Sequence, residues 1–141
     1  MNLLSFKIVE VDFPAGGLTA CAEIYIDDRQ LIKYIKEIEY PQANRDNEKE
    51  NAGTYQPLEI ETLHSKLING NVEKNEYGKV QVMICGCGCD ECWDLDVEIT
   101  ETESIVTWTN FENTHRQWNY DKLKPFLFDK KQYYSAIESL K

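Results

Sequence analysis

Apolar and polar residues alternate along residues 3–13 and again along residues 18–26, as in strands with one buried face. Pro14 and two glycines lie between these stretches, so we predict a β-hairpin there. Asp27 or Asp28 then suits the N-cap of a helix that runs to about residue 39. The apolar stripe of this helix is Leu31, Ile35 and Ile38.

Residues 40–57 contain many turn-forming residues and almost no aliphatic ones, so we expect a long loop there. Residues 58–69 return to helical spacing and predict a second helix. Further strands are expected over residues 79–84, 93–100, 104–109 and about 125–128. Asp129 is the predicted N-cap of a final helix. The buried stripe of that helix is Tyr133, Ile137 and Leu140.

Residues 93–100 alternate most regularly. The predicted core-facing residues are Trp93, Leu95, Val97 and Ile99, and the predicted solvent-facing residues are Asp94, Asp96, Glu98 and Thr100. A short polar turn follows, so residues 93–100 and 104–109 should pair as antiparallel strands. The order of strands, helices, strands and helix predicts one α+β domain over residues 1–141. Its sheet should be mostly antiparallel, with about three helices packed on it.

The chain has 141 residues, 42% of them apolar, which suits a single core. Its formal net charge is -10, a sign that disfavours binding to nucleic acid or to anionic membrane surfaces. A protein with a basic face is an electrostatically easier partner. The sequence shows no long apolar run and no basic leader followed by an apolar stretch. We therefore expect a cytoplasmic protein with reduced thiols.

Acidic residues are concentrated in residues 90–103, which contain seven Asp or Glu and no Lys or Arg. Asp94, Asp96 and Glu98 alternate along one predicted strand, so their carboxylates should project from one face at a spacing of about 7 Å. Such a face is a candidate binding surface for a basic protein. The alternative is that these residues serve solubility alone.

Four of the five cysteines lie between two predicted strands, in the segment Cys85-Gly-Cys-Gly-Cys-Asp-Glu-Cys92. The glycines free the backbone, and the last two cysteines have the C-x-x-C spacing of tetrahedral thiolate sites. Structural zinc sites usually combine two separate ligand pairs, and a second cysteine pair is missing from this sequence. The predicted zinc ligands are Cys85, Cys87, Cys92 and His115, with Cys89 as an alternative.

Two other interpretations of the cysteines stay open. A redox role for Cys89 and Cys92 is weaker, because the intervening Asp90 and Glu91 oppose thiolate formation. The cysteines can also be reduced, half-buried packing residues in a tight loop, since a buried cysteine behaves as a small apolar residue.

His115 and Arg116 are adjacent and lie among aromatic residues, so together they form a candidate anion site. We favour a structural role for both, because a histidine in a long connection often satisfies loop backbone groups. No Gly-rich phosphate loop, H-E-x-x-H or G-x-S-x-G motif occurs in the sequence, so an enzyme is the less favoured class.

Three runs in the second half carry a further signal. They are Cys85-x-Cys87-Gly88-x-x-x-Cys92-Trp93-x-Leu95, then Val106-x-Trp108-x-x-Phe111-x-Asn113-x-His115-Arg116, then Trp118-x-Tyr120-x-x-Leu123-x-Pro125-Phe126-x-Phe128-Asp129. Over about residues 82–140 they resemble the pattern of a family of small, uncharacterised bacterial proteins. That resemblance implies a shared fold and site but no established activity. Its signature positions would be Cys85, Cys87, Cys92, His115 and Arg116. This sequence departs from the pattern at Thr114, where proline is preferred, and in the additional Cys89.

These observations lead to two hypotheses from different classes. The first is an acidic binding module, most concretely an immunity protein that neutralises a basic antibacterial toxin. The second is a small structural or sensory zinc protein that uses the cysteine segment of residues 85–92. A small enzyme using His115, Arg116 and a cysteine is the least supported hypothesis.

Overall fold

The computed structural model describes residues 1–14, 16–70, 73–86 and 93–140. Strands β1 (Leu4–Phe13) and β2 (Gly17–Ile26) form the predicted antiparallel hairpin. A two-residue strand, β3 (Arg29–Gln30), pairs with the end of β2 and completes a three-stranded sheet. The alternation of apolar and polar residues therefore predicts this part of the fold correctly.

The first helix begins later than predicted. Asp27 and Asp28 have φ of 55° and 62° in the two-residue turn between β2 and β3. A type I′ hairpin turn requires this left-handed region at both positions, and Asp is among the residues that tolerate it. The N-cap prediction for these residues is thus wrong. Helix α1 spans Leu31–Arg45 and is preceded by Gln30, whose side chain makes no capping hydrogen bond.

The predicted loop over residues 40–57 is also largely wrong. Helix α1 continues through Pro41, and Gln42 holds this extension by two hydrogen bonds to the backbone of Asn119. The Gln42 amide donates to the Asn119 carbonyl at 2.8 Å and accepts from the Asn119 N–H at 2.7 Å. The rest of the segment contains a 3₁₀ turn (Lys49–Asn51) and strand β4 (Tyr55–Pro57). The local sequence gives no sign of these contacts, because their partners are distant along the chain.

The second half forms a five-stranded antiparallel sheet in the order β4-β5-β6-β7-β8. Its further strands are β5 (Val80–Cys85), β6 (Asp94–Glu101), β7 (Ile105–Asn113) and β8 (Phe126–Asp129). Helix α2 (Ile60–Ile68) precedes them. Strand β7 is longer than the predicted strand over residues 104–109, and β8 pairs only with its first part, Ile105–Trp108.

The last helix, α3 (Lys130–Glu138), begins as predicted after Asp129, whose carboxylate accepts from the Gln132 backbone N–H at 3.1 Å. Its stripe packs into a single hydrophobic cluster that also contains the buried faces of both sheets. Near the middle of that cluster, the Trp108 indole N–H donates to the Tyr133 hydroxyl at 3.1 Å. The α+β class is confirmed: the described residues form three α-helices and two antiparallel sheets.

Residues 93–100 confirm one predicted face and correct the other. The buried residues of the predicted core-facing row are Trp93, Leu95, Val97 and Ile99. On the opposite face, Asp94 and Glu98 are half-buried, but Asp96 is only 2% exposed. The prediction that three carboxylates lie open on one face is therefore wrong for Asp96.

Replacing Val97 by Asp tests this register. Val97 is fully buried opposite Val80, so the new carboxylate has no partner and no access to water. We expect Val97→Asp to lose roughly 3 kcal/mol or more of unfolding free energy. Thr100→Asp is the matched control on an exposed position of β6, where a change within about 0.5 kcal/mol is expected. Urea unfolding measures both, and equal midpoints for the two variants would contradict the register.

Candidate functional site

A buried carboxyl, Glu39 of α1, connects three segments of the chain. Its side chain is 0% exposed. Oε1 accepts from the Gly53 backbone N–H at 2.8 Å, and Oε2 accepts from the hydroxyls of Tyr55 and Tyr120 at 2.5 Å each. Gly53 lies in the loop before β4, Tyr55 lies on β4, and Tyr120 lies in the segment before β8. The Glu39 carboxyl therefore fixes the positions of these segments relative to α1. Sequence reasoning missed it, because glutamate on a helix normally faces solvent.

Gly53 is required for one of these bonds. Its φ is 68°, in the left-handed region, and an added Cβ would lie 2.7 Å from Cβ of Lys36. A residue with a side chain would have to push the backbone away from α1 at this point. The close approach that lets the Gly53 N–H reach Glu39 therefore depends on glycine.

Asn113, at the end of β7, extends the network across the sheet from β4 to β7. Its amide donates to the Tyr55 hydroxyl at 2.9 Å, and its Oδ1 accepts from the backbone N–H of His115 at 2.9 Å. Burial raises the pKa of Glu39, and the hydrogen bonds from Tyr120, Tyr55 and Gly53 oppose that change. Burial also raises the pKa of both tyrosine hydroxyls, so they remain neutral donors.

The cysteine segment connects two neighbouring strands. Strand β5 ends at the half-buried Cys85, and Ile84 lies opposite Asp94 at the start of β6. The backbone next to the segment is held from one side by Thr54. The carbonyl of Thr54 accepts from the Gly86 N–H at 3.0 Å and from the Trp93 indole N–H at 3.4 Å.

Arg116 is committed to contacts within the protein. Its guanidinium lies 4.8 Å from the Trp93 ring centroid and 5.9 Å from that of Trp118. Its Nε donates to the carboxylate of Glu48 at 2.7 Å, and this bond lowers the pKa of Glu48. The guanidinium of Arg116 thus contacts two aromatic rings and is neutralised by the carboxylate of Glu48. These contacts favour a structural role for Arg116 over an anion site.

The structure places only part of the predicted zinc site. Cys85 and His115 lie at the same end of the five-stranded sheet, where β5 and β7 both end, and His115 is exposed. Cys87, Cys89 and Cys92 lie outside the described residues. Among the residues that the structure describes, no group of three or more His, Cys, Asp or Glu is arranged to hold a metal ion. The zinc site therefore stays a prediction.

The outer face of β6 and β7 carries four carboxylates, which we call the acidic face. They are Asp94, Asp96, Glu98 and Glu112. Glu112 forms an ion pair with Lys79 at 3.4 Å, and Glu98 accepts from the side-chain amide of Asn110 at 2.8 Å. Asn110 has φ of 52°, where the register of β6 and β7 shifts. Glu112, which sequence reasoning missed, joins the acidic face because it lies opposite Asp96.

Asp96 and Asp94 form an unequal pair on this face. Asp94 accepts from Gln81 at 2.9 Å and from the Thr114 hydroxyl at 2.5 Å. Asp96 accepts from Asn75 at 2.9 Å through Oδ2, while its Oδ1 is buried without a partner in the described part of the chain. Burial raises the pKa of Asp96 to about 7, and the neighbouring carboxyl of Asp94 contributes to this increase.

A groove of about 690 Å³ lies beside the acidic face, and we call it the β7 groove. One wall is the part of β7 from Thr109 to Glu112, beyond the reach of β8. The other wall is formed by residues 116–121 with Leu123 and Pro125. Lys79 and Glu98 complete the lining. The groove is a concave polar surface that adjoins an unpaired stretch of strand.

No family model, no curated protein and no solved structure matches this chain. The resemblance to the uncharacterised bacterial family therefore stays a prediction. In the part of the chain that the structure describes, no helix is long and apolar enough to cross a bilayer.

The raised pKa of Asp96 predicts a pH-dependent stability. The ordinary pKa is 3.8 and the folded value is about 7, so between these values the folded state holds a proton that the unfolded chain has lost. Stability should therefore fall as pH rises toward about 7, by on the order of a few kcal/mol, since each pKa unit is worth about 1.4 kcal/mol. Asp96→Asn should remove most of this fall.

Urea unfolding between about pH 5 and about pH 8 measures the effect. Asp12→Asn, at an exposed position of the β1–β2 hairpin, is the matched control. Parallel pH profiles for Asp96→Asn and the unmodified protein would show that Asp96 ionises normally in the folded state.

Proposed function

We propose that this protein is an acidic binding module whose partner is a protein with a basic face. The acidic face supports the proposal most directly. Three of its carboxylates, Asp94, Glu98 and Glu112, are half-buried at the surface rather than fully buried. Within the described residues only Glu112 has an ion-pair partner on this face, Lys79. The remaining negative charge is available to an approaching basic surface.

The position of the acidic face within the fold also supports this function. The buried apolar side chains of all three helices belong to the same hydrophobic cluster as the core-facing row of β6, Leu95, Val97 and Ile99. The acidic face is thus presented on a sheet that is rigidly backed by the core. A net charge of -10 adds a long-range attraction that accelerates association with a basic protein.

The narrowest form of the proposal is an immunity protein that neutralises a basic antibacterial toxin. Many proteins that act on nucleic acid carry a basic surface for the phosphate backbone. The surface carboxylates of the acidic face, Asp94, Glu98 and Glu112, would compete for that surface. The product of the adjacent gene, where it is basic, is the first partner to test.

Removing charge from the acidic face should slow association with such a partner. The variant is Asp94→Asn with Glu98→Gln and Glu112→Gln. We expect an association rate about tenfold lower at low salt, because the variant removes charge that steers a basic partner. Stability should change little, because Asn and Gln keep a side-chain oxygen that accepts hydrogen bonds and the Lys79–Glu112 ion pair that is lost lies at the surface. Stopped-flow or surface-plasmon measurements from about 0.05 to about 0.5 M salt record the rate and its salt dependence.

The matched control removes the same three charges from other exposed positions, by Glu10→Gln, Asp12→Asn and Glu50→Gln. Its rate should fall far less, because these residues lie outside the acidic face. If both variants slow association equally, the slower rate reflects the net charge of the protein and not the position of the acidic face. A rate that neither variant nor salt changes would overturn the proposal.

A second candidate function, zinc binding, is favoured by one observation. The cysteine segment connects the end of β5 to the start of β6, and His115 follows the end of β7, the next strand in the sheet. The proposed site draws its thiolates from this segment and its imidazole from the neighbouring strand end. This arrangement meets the need of a structural zinc site for ligands from two separate parts of the chain.

Elemental analysis of protein purified without chelator tests this candidate. We expect about one zinc ion per chain, and Cys85→Ser should lose it. Cys21→Ser is the matched control, since Cys21 is buried in β2 outside the proposed site. Metal-free native protein in which the four thiols of the cysteine segment titrate freely would overturn the zinc site and leave the packing interpretation of the cysteines in place.

A further inference from the structure

We propose that the basic partner inserts an extended segment into the β7 groove, where the segment adds a strand to the free edge of β7. This inference rests on the proposed function and specifies where and in what conformation the partner is held. Strand addition at an exposed edge supplies affinity through main-chain hydrogen bonds, and the side chains of the added segment supply specificity.

The second part of β7 has a short free edge. Strand β8 pairs with β7 only over Ile105–Trp108, so among the described residues the stretch from Thr109 to Glu112 has β6 on one side and no strand on the other, with a bulge at Asn110. Asn113 lies outside this edge, because it is buried and its carbonyl accepts from the Arg116 N–H at 3.4 Å. A strand edge of this kind presents backbone donors and acceptors to any chain that can lie along it. Four residues of strand span about 13 Å at most, which sets the length of the added segment that can pair here.

The other edges of this sheet are less suited to an added strand. The outer edge of β8 is occupied by Asn2, whose N–H donates to the Leu127 carbonyl at 2.8 Å and whose side chain accepts from the Leu127 N–H at 2.9 Å. At the opposite edge, β4 has three residues and ends in Pro57, which lacks a backbone donor. The second part of β7 is thus the most available edge of the five-stranded sheet.

The charges around the groove select a basic segment. Its two cations are already paired, Lys79 with Glu112 and Arg116 with Glu48. Glu98 and Asp121, which also line the groove, have no ion-pair partner among the described residues. Lysine or arginine side chains of an inserted segment would meet these two carboxylates, whereas acidic side chains would be repelled.

Trp118 adds a donor on the opposite wall of the groove. Its side chain is 7% exposed, and its indole N–H is buried without a hydrogen-bond partner in the described part of the chain. Buried tryptophan N–H groups usually have a partner. Because Trp118 lines the groove, an inserted segment would lie against the residue that carries this unpartnered donor.

The test starts from a display library of random peptides about nine residues long, selected on the purified full-length chain. We expect the enriched peptides to be rich in Lys or Arg and in β-branched residues. In NMR spectra, the best peptide should slow amide exchange at Thr109–Glu112 and shift the indole N–H of Trp118. The indole N–H of Trp108, which is bonded to Tyr133 in the core, is the internal reference and should not move.

Two matched comparisons separate strand addition from simple charge attraction. The same peptide N-methylated at alternate residues keeps its charge but loses the donors facing β7, and it should bind about tenfold more weakly. Glu98→Gln with Asp121→Asn should also weaken binding about tenfold, whereas Glu10→Gln with Asp12→Asn on the β1–β2 hairpin should change it less than about twofold.

The outcomes distinguish this inference from the proposed function. Basic peptides that bind in a salt-sensitive way, but leave the exchange of Thr109–Glu112 unchanged or tolerate N-methylation, overturn strand addition and leave the basic-partner proposal intact. A selection that yields no enriched peptide also overturns strand addition. Enrichment of peptides without basic residues overturns both.

Discussion

The burial of the Glu39 carboxyl is the constraint on which the arrangement of this protein depends. A carboxyl without access to water is tolerated only when its oxygens are hydrogen-bonded. Its three donors come from two regions of the chain, Gly53 and Tyr55 in one and Tyr120 in the other. Among the described residues, Oε1 has only the Gly53 N–H as its donor, and Oε2 accepts from the two tyrosine hydroxyls. Full satisfaction of the buried carboxyl therefore requires α1, β4 and the segment before β8 to assemble together.

The same constraint positions the far wall of the β7 groove. Within the part of the chain that the structure describes, residues 116–120 are attached to α1 and the turn that follows it by three side-chain contacts, and to β7 only at its end. The three contacts are Arg116 to Glu48, Asn119 to Gln42 and Tyr120 to Glu39. At the end of β7, the Arg116 N–H donates to the Asn113 carbonyl at 3.4 Å. Because the wall is held by α1, the neighbouring stretch of β7 keeps its free edge. The groove is therefore a consequence of how the helix is anchored.

The carboxylates of β6 show how one strand supports two different roles. Asp96 is withdrawn beneath Asn75, where burial raises its pKa to about 7. Asp94 and Glu98, two residues to either side along the chain, stay half-buried at the surface and accept hydrogen bonds from polar neighbours. Stability thus responds to pH through Asp96, while attraction of a basic partner depends on its neighbours.

The sequence alone determined those features that local chemistry controls. Alternation predicted the β1–β2 hairpin and the core-facing row of β6, and Asp129 predicted the start of α3, because side-chain period and capping act within a few residues. Only the tertiary structure decided the extension of α1 past Pro41, the burial of Asp96 and the contact of the Arg116 guanidinium with the rings of Trp93 and Trp118. Each of these depends on partners such as Asn119, Asn75 and Trp93, which are brought close by folding. The pattern of apolar and polar residues predicts which face of its own helix or strand a side chain occupies. It does not predict which distant segments pack against that side chain after folding.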